Sequence, residues 1–439
     1  VKQFRLFFLF VFPLFAWAIS SSCLRAVDPL AQSFHRIRAR GSLTGTIMGP
    51  KGPMPIKGES SVEYDERILD RSVQGEPVRT VRHYTKAKLI REQGDQVGEG
   101  LIRPILNPIV ILRQGSTEVP FSPRGPMTLG EVDLLRTDVF VGALQGLLPP
   151  PGSIPGATWK ATESAIRELT DLESIARGGL DCTLENVPGG QPQRVSFKGT
   201  VEGVQEEGLA RHDLTGSIEL GPDGSFRVLD LQAIQVLQGP GGAEKGRMAG
   251  RFAIERVPTG VTAELSDGAL AGLKLQPDET NTRLQVEIPE TGLGFTMSRR
   301  WKIAVQEKNQ VRFSLPGGAE MLLTLEGPTT DGMGRLPPIG DIIAEGTSQL
   351  QKQGHKPGPS PQPSQKTGPR QTALEATSID VRKSDGTQER WVYAIAKTTN
   401  QGAGGILAGR FPQVSWPLME TDLAELERLA FSLYRLPAK

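Results

Sequence analysis

The chain predicts a β-rich α+β protein: a large antiparallel sheet or half-barrel with covering helices, followed by a smaller α/β sandwich domain. Three observations carry that prediction. Four β-type runs (194–205, 210–220, 225–237 and 247–256) follow one another with Gly-rich turns between them, and such runs are stable only when they share an apolar face. The apolar period changes from strand to helix in few places, of which 128–147 and 164–177 are the chief ones in the first two thirds. Finally, 51 Gly and 34 Pro beside only 37% hydrophobic residues suit a chain with many turns.

At the start, Lys2 and Arg5 precede an apolar run over 6–19 and a small polar stretch ending at Cys23. This is the tripartite pattern of a secretory signal, expected over residues 1–26. The run contains Pro13 and is too short for a comfortable membrane span. Cleavage after Ala18 or after Ala26 fits, and both stay open. Lipid on Cys23 is the lesser alternative, because Ser20, Ser21 and Ser22 precede it where a lipobox carries Leu. Val1 in place of Met points to an alternative start codon and a bacterial gene. Export, to the periplasm or beyond, is the resulting expectation.

Residues 35–290 are expected to form the large β domain. Alternating text runs through 41–48, 57–69, 78–91 and 96–103, with turn signals at 49–53 and 74–77. His83 reads as a strand surface residue. Thr128 and Glu131 have capping-box spacing, and Leu129, Val132, Leu135, Val139, Ala143 and Leu147 trace one apolar stripe, so a helix should begin near Leu129. A second helix is expected over 164–177, with Ile166, Leu169, Leu172 and Ile175 on one side. Both are expected to cover the core. Trp159 should bury its ring at the sheet edge and give its N–H to a carbonyl.

Leu180, Cys182 and Leu184 alternate as core positions of a strand, which makes the thiol a small buried hydrophobe. Asp223-Gly224 is a hairpin turn. The apolar parity slips between Phe226, Val228 and Leu229, Leu231, which signals a bulge. His212 and Asp213 are neighbours on a strand, so they point to opposite faces and cannot act together on one substrate. The pair is expected at the surface.

A second domain is expected over 292–439. Strand text at 292–297, 301–306, 310–315 and 319–325 precedes a helix over 338–351, then strands at 377–383, 390–397 and 405–411 and a closing helix over 420–434. Arg299 and Arg300 read as solvated charge on a hairpin. Residues 353–370 are Pro-rich, expected as an exposed, partly polyproline-II loop inserted within the domain. With Phe295 and Trp301, the Trp391-Val392-Tyr393-Ala394 strand and Phe431-Ser432-Leu433 in the closing helix, this C-terminal third resembles the PsbP-like α/β sandwich. The resemblance implies an extrinsic protein-binding or scaffold module without a shared catalytic triad; the Pro-rich insertion departs from the family's compact loop. The N-terminal part is loosely similar to the half-barrel lipoprotein carriers of bacterial envelopes.

Function follows partly by exclusion. Lys plus Arg is 50 and Asp plus Glu is 49, so no global field recruits nucleic acid. Two Cys and four His make a multi-ligand zinc site improbable, and no metal or cofactor is expected. No phosphate loop, HExxH helix or nucleophile elbow is present; Gly402–Gly409 lacks the spacing of a dinucleotide fingerprint. No catalytic, cofactor-binding or metal residues are assigned. The expectation is an exported, non-catalytic envelope protein of structural or binding type that holds a protein partner or an apolar ligand. Its membrane contact would be only through the signal peptide or, less readily, a lipid on Cys23. The alternative is a hydrolase of envelope polymers using carboxylates brought together from distant strands.

Overall fold

A computed structural model describes residues 34–436, apart from 50, 51, 74, 115, 116, 137, 188–192, 206, 207, 328–335, 370, 371 and 399–402. The expected signal peptide, its cleavage positions and Cys23 lie outside the described residues.

Strands lead the chain: β1 (Phe34–Gly49), β2 (Gly52–Arg71), β3 (Pro77–Gln93), β4 (Gln96–Leu101), β5 (Ile109–Gln114), β6 (Thr117–Phe121) and the short β7 (Met127–Thr128). Helix α1 (Leu129–Arg136), a 3-10 turn (Val141–Leu147) and α2 (Glu163–Thr170) form a strap, with β8 (Thr158–Lys160) between the last two joining the sheet edge. Then come β9 (Ser174–Leu184), β10 (Arg194–Gln205), β11 (Gly208–Leu220), β12 (Phe226–Gln238) and β13 (Glu244–Pro258). These strands, without β7, make one open antiparallel sheet of twelve in the order β6-β5-β3-β2-β1-β13-β12-β11-β10-β9-β8, with β4 beside β3. It is not closed into a barrel. Hairpin chemistry is as the text predicts. Gly224 adopts φ 75° in the turn that Asp223 begins, and the register slips at Phe226 and Val228, where the extra residue is Arg227.

The rest of the chain is built on two smaller sheets. After α3 (Asp267–Leu270), strands β14 (Leu284–Ile288) and β15 (Leu293–Met297) join β7 in a four-stranded sheet. This sheet takes strands from both sides of position 292. Then β16 (Lys302–Glu307), β17 (Gln310–Ser314) and β18 (Glu320–Glu326) precede α4 (Ile339–Lys352). Strands β19 (Lys356–Pro357), β20 (Ser364–Thr367), β21 (Thr372–Arg382), β22 (Gln388–Thr398) and β23 (Ala403–Pro412) complete an eight-stranded sheet. Helix α5 (Trp416–Phe431) and β24 (Tyr434–Arg435), on the edge of the four-stranded sheet, close the chain. One cluster of buried apolar side chains runs from Ile37 to Leu433.

Four expectations need correction. The apolar stripe over 128–147 is two pieces, because Asp138 turns its carboxylate inward between α1 and the 3-10 turn. The helix expected over 164–177 stops at Thr170: Asp171 takes the left-handed conformation (φ 55°), and Ser174 and Ile175 pair in β9 with Val204 and Gly203. The Pro-rich segment is not a free loop, since Lys356–Pro357 and Ser364–Thr367 both pair with β21 and Gly358 N–H donates to Asp380 O at 2.8 Å. The closing helix spans Trp416–Phe431, starting and ending earlier than 420–434.

Candidate functional site

In an antiparallel sheet, residues directly opposite share a face, so the register writes the concave surface row by row. One row runs Ile218, Leu229, Ile254, Ala39, Val62 and Ala87 across six strands, all apolar. The next is Phe197, Gly216, Leu231, Phe252, Gly41 and Ser60. The third is Leu214, Ala233, Gly250, Leu43, Gly58 and Arg91. The two glycines of the second row sit close against their neighbours: a Cβ on Gly41 would lie 2.6 Å from Ser60 Oγ and 3.3 Å from the Phe252 ring. Along the third row Gly58 leaves space, since a Cβ there would meet only Leu43 Cβ at 3.7 Å, whereas one on Gly250 would lie 3.3 Å from the Ser42 carbonyl.

The strap crosses these rows and leaves a groove of about 320 Å³ beside it. Leu43, Leu89, Leu231 and Phe252 supply apolar wall, with Val139 and Leu169 from the strap. Its size is at the small end of ligand pockets. Arg136, Asp138, Glu168 and Asp171 bring charge to the rim.

Two buried ionic contacts fasten the strap. Arg82, 1% exposed, donates Nε–H to Glu66 Oε2 at 2.9 Å and Nη1–H to Asp138 Oδ2 at 3.1 Å. Tyr64 donates its hydroxyl to the same Asp138 oxygen at 2.6 Å, and its ring lies under the Arg82 guanidinium. Burial pushes the Asp138 carboxyl up, while Arg82 and the Tyr64 hydrogen bond pull it back. At the second point Glu168 accepts from Arg113 Nη1 at 2.9 Å and from Phe140 N–H at 2.6 Å. Glu118 lies 4.0 Å from the same Arg113 nitrogen, and burial, then Glu168, hold its carboxyl well above the usual range. Sequence reasoning missed all of these residues. Their partners are up to 74 positions apart, and only Asp138, a charge in the apolar stripe, was a visible sign.

Other singled-out residues fall as follows. Leu180, Cys182 and Leu184 are buried, and burial pushes the Cys182 thiol up to about 11. His212 is not a surface residue. It is 5% exposed on the concave face while Asp213 lies on the other side, bonded to Thr200 and Arg211. Trp159 packs against the core, but its N–H finds no acceptor among the described residues. Arg300 is exposed, whereas Arg299 is half-buried and its guanidinium is lowered to about 10 by burial and Arg136. The capping box holds: Thr128 N–H donates to Glu131 at 2.7 Å, and Glu131 N–H to Thr128 Oγ1 at 3.2 Å. Among the described residues no group of three or more His, Cys, Asp or Glu is placed to hold a metal, and no helix is long and apolar enough to cross a membrane.

No known protein family matches the sequence, and no curated protein matches it either. Similar solved structures include the Ran-binding protein Mog1p of Saccharomyces cerevisiae (8% identity, TM-score 0.24, 35% of this chain and 95% of that one). Cyanobacterial PsbP from Synechocystis sp. PCC 6803 aligns at 11% identity and TM-score 0.26 over 35% of this chain and 92% of its own. The translocator domain of the Neisseria meningitidis autotransporter NalP spans 87% of this chain and 88% of its own at 9% identity, with a TM-score of 0.12. Likenesses this slight assign neither a region nor a function.

Proposed function

We propose that this is an exported bacterial envelope protein of binding type, which holds an apolar ligand in the groove between the concave sheet and the strap. The observation that carries the reading is the notch at Gly58 in the floor of the groove. An added Cβ there would meet only Leu43 Cβ at 3.7 Å, and Leu43, Leu89 and Phe252 wall the space. A face meant only for packing would fill that position, since interiors are close-packed. On this reading the C-terminal third is a PsbP-like module that docks a protein partner.

Native mass spectrometry of protein purified from its own host tests the groove. A retained apolar ligand is expected, and Gly58→Phe should release it while leaving the fold intact. Protein that comes out empty, or Gly58→Phe protein that keeps its ligand, would overturn the reading.

One observation favours the alternative of a carboxylate-dependent hydrolase of envelope polymers. Asp138 and Glu168 both border the groove, and burial raises both carboxyls. No release of fragments from cell-wall polymer by the native protein, at mildly acid or neutral pH, would remove it.

A further inference from the structure

The opposite end of the large sheet has a second cavity, independent of the groove. β12 and β13 stay paired only as far as Val228 and Glu255, and a cavity of about 730 Å³ opens beyond, against the Gly221-Pro222 turn. Two guanidinium groups line it. Arg227 is the extra residue of the bulge and makes no hydrogen bond or ion pair among the described residues. Arg256 Nη2 bonds His35 Nδ1 at 3.1 Å. Among the described residues, the Nε of each is buried without an acceptor.

Two carboxylates, Glu219 and Glu255, also line the cavity, but Glu219 takes Arg194 at 2.8 Å and Glu255 faces Arg38 at 3.5 Å. Glu66 shares Arg82 with Asp138 and also acts on Arg256, and Asp223 accepts from both Ser225 N–H and Ser225 Oγ. Asp223 feels the Arg227 charge, yet no ion pair closes between them. His35 feels these charges: burial, then Arg256, with Arg71 and Arg227 against Glu66, lower its pKa to about 4. At neutral pH His35 is therefore an uncharged acceptor that orients Arg256.

We propose that this cavity is an oxyanion site, which takes the phosphate group of a phosphate ester on Arg227 and Arg256. Arginine presents a planar fork suited to phosphate oxygens, and both guanidinium groups are half-buried with an Nε–H that an anion would satisfy. The cavity is far larger than one phosphate, and Leu220, Pro222, Val228 and Val257 line the remainder with apolar surface that suits the ester's substituent.

Isothermal calorimetry on the full chain tests this, with dihexanoyl phosphatidate and inorganic phosphate as probes and sodium chloride matched for ionic strength. Saturable phosphatidate binding is expected, weakened at least about tenfold in Arg227→Gln, the loss typical of one charge-assisted bond. Binding of inorganic phosphate with equal affinity and the same loss would support the oxyanion site and identify the free ion as the source. Arg256→Lys keeps the charge but not the fork, and should weaken binding even if Arg227→Gln does not fold. No saturable heat with either probe, or binding unchanged in the variants, would overturn the proposal.

Discussion

His212 sits on the concave face between Gln235 and Val201, with its Nε2 buried and, among the described residues, unpartnered. Burial lowers its pKa to about 4, as burial and the surrounding arginines do for His35. The folded state thus prefers the neutral ring. Stability from this preference is full above the unfolded value of 6.5 and is lost as pH falls from there through about 4. The shift is worth roughly 3 kcal/mol for each ring at most. Thermal melts should show a falling Tm over that window, and His212→Leu should flatten the fall without loss of stability at neutral pH, because it removes a polar atom that has no partner. An unchanged acid profile in the variant would place the sensitivity elsewhere. Gly216 poses the opposite problem. A Cβ there would meet the Phe197 ring and the Asp230 carbonyl, so Gly216→Ala should cost about 1–3 kcal/mol in urea unfolding.

At the scale of elements, the strap depends on charges more than on helix propensity: α1 and α2 have eight residues each, too short to be stable alone. Asp138→Asn keeps the shape but leaves Arg82 buried against Glu66 alone. A cost of about 3–5 kcal/mol is expected by chemical denaturation, with faster amide exchange over Val141–Leu147. Amide exchange unchanged there would mean that apolar packing holds the strap. This contrast explains what the sequence made legible. Hairpins, the bulge at Arg227 and the capping box rest on residues within a few positions of each other, and their local chemistry is written in the text. The strap rests on Tyr64, Arg82 and Asp138, which only folding brings together. Asp171 ended α2 early through a left-handed conformation that the apolar spacing of Leu172 and Ile175 could not reveal. The groove was hidden for a similar reason. Gly58 lies within the alternating run 57–69, and only the register shows that it faces the groove.

At the scale of the whole molecule, the four-stranded sheet makes the two halves interdependent. β14 pairs in parallel with β7 on one side and antiparallel with β15 on the other, so residues before and after position 292 share one ladder. Side chains repeat the linkage. Across position 292, Gln285 donates to the Tyr434 hydroxyl at 2.7 Å and Arg283 donates Nε–H to Thr296 Oγ1 at 2.9 Å. Trp301, 2% exposed, donates its indole N–H to Asp422 of α5 at 3.1 Å and packs on Phe313. Cutting the chain at 291 would strip β14 of its antiparallel partner and expose Val286 and Ile288, which now lie in the common core. Neither fragment would then keep its share of the small sheet. The intact protein should therefore melt in a single calorimetric transition, and residues 34–291 expressed alone should unfold or aggregate. Two separated transitions, or a fragment with the full protein's amide protection in β14, would show that the ladder across 292 joins two bodies that fold without it.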